Sequence, residues 1–145
     1  RALWALGTLI STNNIPNEIK EKAKSLFQKA LMPIREIESP RAISFSILGL
    51  SKYYEKIPTL KNQKIITNLS DKLVNLYSIY STDDWNWFEK YLTYSNSKMS
   101  EALFYAYNVT KDKTYLEIGE SSLQFLISLH LKTEYLSQLV KKDGI

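Results

Sequence analysis

One stretch concentrates side chains that could recognise a ligand: Asp83-Asp84-Trp85-Asn86-Trp87-Phe88-Glu89-Lys90-Tyr91-Leu92-Thr93-Tyr94-Ser95-Asn96. Two of the three tryptophans and two of the ten tyrosines fall between Trp85 and Tyr94, interleaved with acids and amides. An aromatic face beside carboxylates and amides suits sugar recognition. The ring packs on the C–H face of a pyranose while the polar groups bond its hydroxyls. If 85–92 is helical, Trp85 and Glu89 share one face and Trp87 and Tyr91 another, so one pair can line a cleft while the other packs inside. Glu101 joins this set because it stands on an otherwise apolar segment, where an unpaired carboxylate is costly to bury. It must be paired or face a wet cleft. Arg1 and Arg41, each opening an apolar segment, pose the same question with the opposite sign. The competing reading is structural: the aromatics are core, and Asp83 or Asp84 caps a helix.

Several other chemistries are excluded. The chain has no cysteine, which rules out disulfides, thiolate nucleophiles and Cys-based zinc sites. A single histidine, His130, cannot build a His-based metal site, and within the apolar run LISLHLK it reads as structural. Gly7, Gly49, Gly119 and Gly144 stand alone, so there is no phosphate-cradling loop, and no G-x-S-x-G, H-E-x-x-H or EF-hand pattern occurs. Neither a metal nor a cofactor is expected. The net charge of +4 comes from 19 basic against 15 acidic residues that are interleaved along the chain. A nucleic-acid face would cluster them, so no nucleic-acid partner is expected. No apolar run approaches the roughly 20 residues of a membrane span, and no signal-peptide pattern opens the chain, so a cytoplasmic location is the default expectation.

The elements that must position these residues are helical. In 17–31, Ile19, Ala23, Leu26, Phe27, Ala30 and Leu31 form one stripe, with Lys20, Glu21, Lys24 and Gln28 opposite. Ser39-Pro40 opens a second segment whose Ala42–Leu50 stretch, AISFSILGL, is apolar or small all round. In 63–80, Ile65, Ile66, Leu69, Leu73, Leu76, Tyr77 and Tyr80 share one face. Ser97 can cap a helix over 98–109, again apolar nearly all round, and Asp112 can cap the next, 115–131. The tail, 133–145, has weak periodicity and reads as a partial helix. Few glycines and prolines argue against a many-turned β architecture.

Segments apolar all round (RALWALG, RAISFSILGL, EALFYAYNV) thus alternate with segments polar on one face. That alternation predicts an inner and an outer row of helices joined as antiparallel hairpins, three in all, with Ile43, Ile47, Leu48, Leu103 and Ala106 in the core. Residues 1–145 read as one all-α helical-hairpin domain. Because RALWALG looks like the inside of a helix, the chain is expected to be a fragment of a longer one.

The same residues carry a resemblance. The stretch from Trp85 to Leu126 resembles the helical domain found C-terminal to glycosyltransferase modules in some bacteria and archaea, which is similar to the six-hairpin α/α-toroid of many carbohydrate-active enzymes. The family pattern W-x-W-F-E corresponds to Trp85, Trp87, Phe88 and Glu89, L-T-Y-x-N to Leu92, Thr93, Tyr94 and Asn96, and E-A-L to Glu101, Ala102 and Leu103. RALWALG and RAISFSILGL look like family inner-helix starts. Three hairpins are half of a toroid, and no family catalytic acid is matched, although Asp84, Glu89 and Glu101 are the clustered carboxylates that a glycosidase pair would need.

The resemblance implies the accessory helical part of a glycosyltransferase, with a sugar or glycan and a preceding catalytic domain as partners. In that reading Trp85 or Trp87 stacks on the sugar, Glu89, Asn96 and Glu101 bond its hydroxyls, and Tyr94 shares the rim. The alternative is a helical-repeat interaction scaffold similar to tetratricopeptide arrays, presenting a groove to a peptide.

Overall fold

The computed structural model describes the backbone of residues 1–142 and the side chains of residues 1–131. Among these there are six α-helices: α1 (Ala2–Ser11), α2 (Asn17–Ala30), α3 (Pro40–Lys56), α4 (Leu60–Tyr80), α5 (Ser97–Thr110) and α6 (Lys113–Lys142), with a 3-10 turn at Met32–Glu36. Among the described residues there is no strand, only an isolated bridge between Thr82 and Trp85. The fold is all-α. None of these helices is long and apolar enough to cross a membrane.

Local signals explain the helix ends. Pro40 supplies the first turn of α3, where its missing N–H is no loss. The Thr59 hydroxyl accepts from the backbone N–H of Asn62 at the start of α4. The Asp112 carboxylate accepts from Thr114 N–H at 2.9 Å, so it caps α6 as its position implies. Lys111 turns the chain between α5 and α6 in the left-handed region, φ 63. α6 runs unbroken to Lys142, so 133–142 continues that helix instead of forming a separate one. Trp85–Leu92 is not helical: α4 ends at Tyr80, and 81–96 forms a folded loop.

Helices α1, α3 and α5 lie side by side in chain order, with α2 against α1, α4 against α3 and α5, and α6 against α5 and α4. Trp4 meets Phe45 and Gly7 meets Gly49, while Arg41 meets Asn96 and Lys52 lies over Tyr105. The row therefore runs in one direction, and its three N-terminal ends form one rim. Ile43, Ile47, Leu103 and Ala106 are 0% exposed and Leu48 1%, so these residues of α3 and α5 lie in the core as expected, whereas RALWALG is covered on one side only, with Ala2 and Ala5 exposed. The stripe of α2 is covered only in part. Ala23 and Phe27 are buried, whereas Ile19 and Leu26 stay about half exposed.

The closest approach in the row is backbone on backbone. A Cβ on Gly49 would stand 2.3 Å from Leu3 O, and one on Gly7 would stand 2.2 Å from Gly49 O. These are the glycines that close RALWALG and RAISFSILG, so the echo between the two openings records one helix crossing. Gly49→Ala should gain about 1 kcal/mol of helix propensity but lose more by forcing α1 off α3, since overpacking costs roughly 1–3 kcal/mol or more. A lower denaturation midpoint is the expected result.

Tyr115, 1% exposed, donates its phenol to Asp71 Oδ1 at 2.7 Å, tying α6 to α4. Burial first, then this hydrogen bond, raises its pKa well above the ordinary phenol value. The neutral phenol is the form favoured by folding. Its contribution is thus complete below the unfolded pKa near ~10 and declines as pH rises through the folded value. Tyr115→Phe should cost about 1 kcal/mol near neutrality and flatten the alkaline fall in stability measured by urea titration across pH.

Candidate functional site

The loop 81–96 is organised by one side chain. Arg41, the second residue of α3 and 7% exposed, spends every nitrogen of its guanidinium on that loop. Nη1 donates to Glu89 Oε2 at 2.7 Å, Nη2 to Asn96 Oδ1 at 2.9 Å, and Nε to the Tyr94 carbonyl. Its Cζ lies 5.0 Å from the centre of the Tyr94 ring. The Asn96 amide also accepts from Thr93 N–H, and Ser95 takes φ 51 to bring the chain round into α5. Arginine is the residue for such a task, because its planar fork meets several acceptors at once without losing its charge.

The aromatic half of the loop plugs the core. Trp87 and Phe88 are 0% exposed, with Trp87 against Phe88 and Phe125, and Phe88 edge-on to Tyr77. Trp85 stands edge-on to Phe125 and donates its indole N–H to the Glu89 carbonyl at 2.7 Å. Tyr77 reaches Asn86 and Ser121 through its hydroxyl. Asp83 and Asp84 lie exposed at the tip of a tight turn closed by Thr82 and Trp85.

The six residues expected at one rim therefore separate. Glu89, Tyr94 and Asn96 gather around Arg41, and Trp85 joins them through the Glu89 backbone. Trp87 is enclosed and offers no face to a ligand. Glu101 has no bond to Arg41; it is ion-paired with Lys98, and its side chain is 37% exposed. The cavity beside Glu89, about 410 Å³, is lined by Glu38, Tyr80 and Tyr91 among others, without Glu101 or either tryptophan. The carboxylates that line it are Glu38 and Glu89, the first paired with Lys72 and the second with Arg41.

A second set of residues does share an open surface. Across the N-terminal ends of α1, α3 and α5, the Arg1 guanidinium lies over the rings of Phe45 (5.3 Å) and Tyr94 (5.9 Å). Trp4, half-buried, packs on Phe45 and carries the Lys98 ammonium 4.8 Å above its own ring. Lys98 in turn holds Glu101, and Tyr94 is 62% exposed. Along this rim a half-buried indole, an exposed phenol, two cations and a carboxylate are linked by successive pairwise contacts. Sequence reasoning missed Trp4 and Lys98. Trp4 sits in a run that reads as pure core, and the i,i+3 spacing of Lys98 and Glu101 was the available signal. Among the described residues no group of three acidic or histidine side chains is placed to hold a metal ion.

Comparison with known proteins adds no relative: no protein family, no curated protein and no solved structure matched the chain.

Arg41→Ala should leave the Glu89 carboxylate without its partner and release the loop, destabilising the fold by about 3–5 kcal/mol. Glu89→Gln, which keeps an acceptor for Nη1, should cost clearly less. Chemical denaturation of the two variants tests the order. Equal, small losses would show that the clamp does not hold the loop.

Proposed function

We propose that the chain is a helical-hairpin domain of a carbohydrate-active enzyme, the accessory part of a glycosyltransferase, and that it holds a sugar or glycan against the rim at the N-terminal ends of α1, α3 and α5. The observation that carries this reading is the group Trp4–Lys98–Glu101–Tyr94: a half-buried indole covered by an ammonium, an exposed phenol, and a carboxylate held by that ammonium. A pyranose laid on Trp4 displaces the Lys98 ammonium from the ring and finds an acceptor in Glu101 and a donor in Lys98. The sugar-binding role expected of Trp85 and Trp87 passes to Trp4. Tyr94 and Glu101 keep theirs, while Glu89 and Asn96 act by fixing Tyr94.

The order of helix contacts supports the toroid part of the reading. Ser100 of α5 bonds Ser122 of α6, and Phe104 lies over Gly119, so the two helices run in opposite directions as an antiparallel hairpin would. With α1, α3 and α5 as an inner row and α2, α4 and α6 outside it, the chain corresponds to three of the six hairpins of an α/α-toroid. A catalytic domain ahead of it in the polypeptide and a cytoplasmic location belong to this proposal.

The interaction-scaffold reading has one observation in its favour. A cavity of about 500 Å³ beside α6 is lined by Leu92, Leu123, Leu126, Ile127 and Leu131, with Ile127 and Leu131 half exposed or more. An apolar groove of that kind suits a peptide, not a sugar.

Tryptophan fluorescence separates the two. Titration with mono- and oligosaccharides should change the emission of the wild-type chain, and Trp4→Phe should abolish that change. Lys98→Ala and Glu101→Gln should weaken binding about fivefold or more without altering helical content by circular dichroism. An emission indifferent to every glycan, with rim variants indistinguishable from wild type, would sink the carbohydrate reading.

A further inference from the structure

The other end of the α3–α5 pair holds a second cavity, about 320 Å³, lined by Ser51, Tyr54, Glu55, Pro58, Tyr105 and Asn108. It lies ten residues along α3 from Arg41, roughly 15 Å from the rim. Ser51 is 1% exposed, and its hydroxyl has no hydrogen-bond partner. A buried hydroxyl without a partner is unfavourable and calls for an explanation. Its neighbours show what a purely structural serine does in these helices. Ser44 donates to Pro40 O at 2.7 Å, Ser70 to Ile66 O at 2.8 Å, and Ser122 to Gly119 O at 3.1 Å. Ser51 makes no such bond, and it lines a cavity.

The rest of the lining is aromatic and polar, completed by the aliphatic Pro58 and Val109. Tyr54 and Tyr105 are half-buried and supply ring faces, and Glu55 and Asn108 stand exposed at the opening with an acceptor and an amide. Lys52 lies 5.1 Å over the Tyr105 ring and pairs with Glu55 at 2.9 Å, a hydrogen bond that raises its pKa and keeps it charged. Lys52 thus neutralises Glu55, the charged residue of the lining, so no unpaired charge faces the cavity. Its volume is at the lower end of the ~300–1,000 Å³ range of ligand sites, which suits a single ring and not a chain.

We infer that this cavity is a binding site for one neutral pyranose, with Tyr54 and Tyr105 as its walls and the Ser51 hydroxyl, Asn108 and Glu55 bonding the sugar's hydroxyls. The inference deepens the carbohydrate reading but rests on residues that the rim does not share.

The test uses the whole chain in calorimetric titration and saturation-transfer NMR with methyl glucoside, methyl mannoside, methyl galactoside and methyl N-acetylglucosaminide, with glucuronate as the charged counterpart. At least one neutral glycoside should bind, and more tightly than glucuronate. Ser51→Ala should weaken that binding about five- to tenfold while leaving the thermal midpoint unchanged or higher, because no hydrogen bond within the protein is lost. Tyr105→Leu should weaken it too, whereas Lys98→Ala and Glu101→Gln should remove only the share of binding that belongs to the rim and leave a site that still responds to Ser51→Ala. Absence of binding at millimolar glycoside would overturn the inference, as would affinity indifferent to Ser51→Ala, the result expected if the hydroxyl holds only a water. If the rim variants abolish binding and Ser51→Ala does not, the rim reading stands and this one falls. The reverse outcome would leave the cavity as the sugar site and remove the rim.

Discussion

The contact between Arg41 and the loop 81–96 is the constraint on which the rest of the structure depends. A guanidinium 7% exposed has lost nearly all its water, and that loss is tolerable only because three acceptors replace it: one carboxylate, one amide oxygen and one carbonyl. The acceptors come from positions 48 to 55 residues away in sequence, so the clamp cannot exist until α3 and α5 are side by side. Once it closes, it fixes more than itself. Glu89 is held, its carbonyl positions the Trp85 indole, and Trp87 and Phe88 are committed to the space between α4 and α6. Every hydrogen bond to Arg41 therefore helps to keep a mainly apolar plug in place.

The second constraint is the crossing of Gly7 and Gly49. Helices that approach until backbone meets backbone cannot carry a side chain at the contact, and they cannot slide past one another without opening it. This close approach brings the start of α1 alongside that of α3, with Arg1 beside Phe45 and Trp4 packed on the same ring. The Arg41 clamp brings Tyr94 and the start of α5 to the same end. The rim is thus the joint product of two unrelated devices, a steric one between α1 and α3 and an electrostatic one between α3 and the loop.

Helix content and core were legible in the residues because periodicity is a local signal. Leu69 and Leu73 are buried for the same reason that they recur on one face, and the apolar stretch of α3 is enclosed for want of a wet side, although RALWALG keeps Ala2 and Ala5 exposed. The loop 81–96 was not legible. Its aromatics have no 3.6-residue period to follow, and the partner that explains Glu89 lies far away on α3. The question posed by Arg41 was visible as a cation opening an apolar helix, but its answer was not. Trp4 was hidden by a different effect: burial of Leu3 and Gly7 on either side says nothing about one position between them that turns outward. The exposed half of the α2 stripe, Ile19 and Leu26, shows the limit of periodicity in the other direction, since an apolar stripe can be wider than the surface that covers it.

The division of labour in Trp85–Glu101 follows from how many partners each group already has. Glu89 and Asn96 have committed their acceptors to Arg41, so recruiting either for a ligand would strip a buried cation of its neutralising shell. Trp87 would have to leave the core to meet a sugar. Glu101 pairs with Lys98, which also lies over the Trp4 ring, in a partly exposed ion pair that is worth little and is readily exchanged for other bonds. Tyr94 is gripped through its backbone and, although its ring is met by Arg41 and Arg1, stays 62% exposed. Groups that are weakly committed and sit beside an aromatic face can change partners without disturbing the fold, which is what a binding surface requires. On that criterion the stretch Trp85–Glu89 serves mainly to build the fold, and in the proposed carbohydrate reading its neighbours on α1 and α5 meet the ligand.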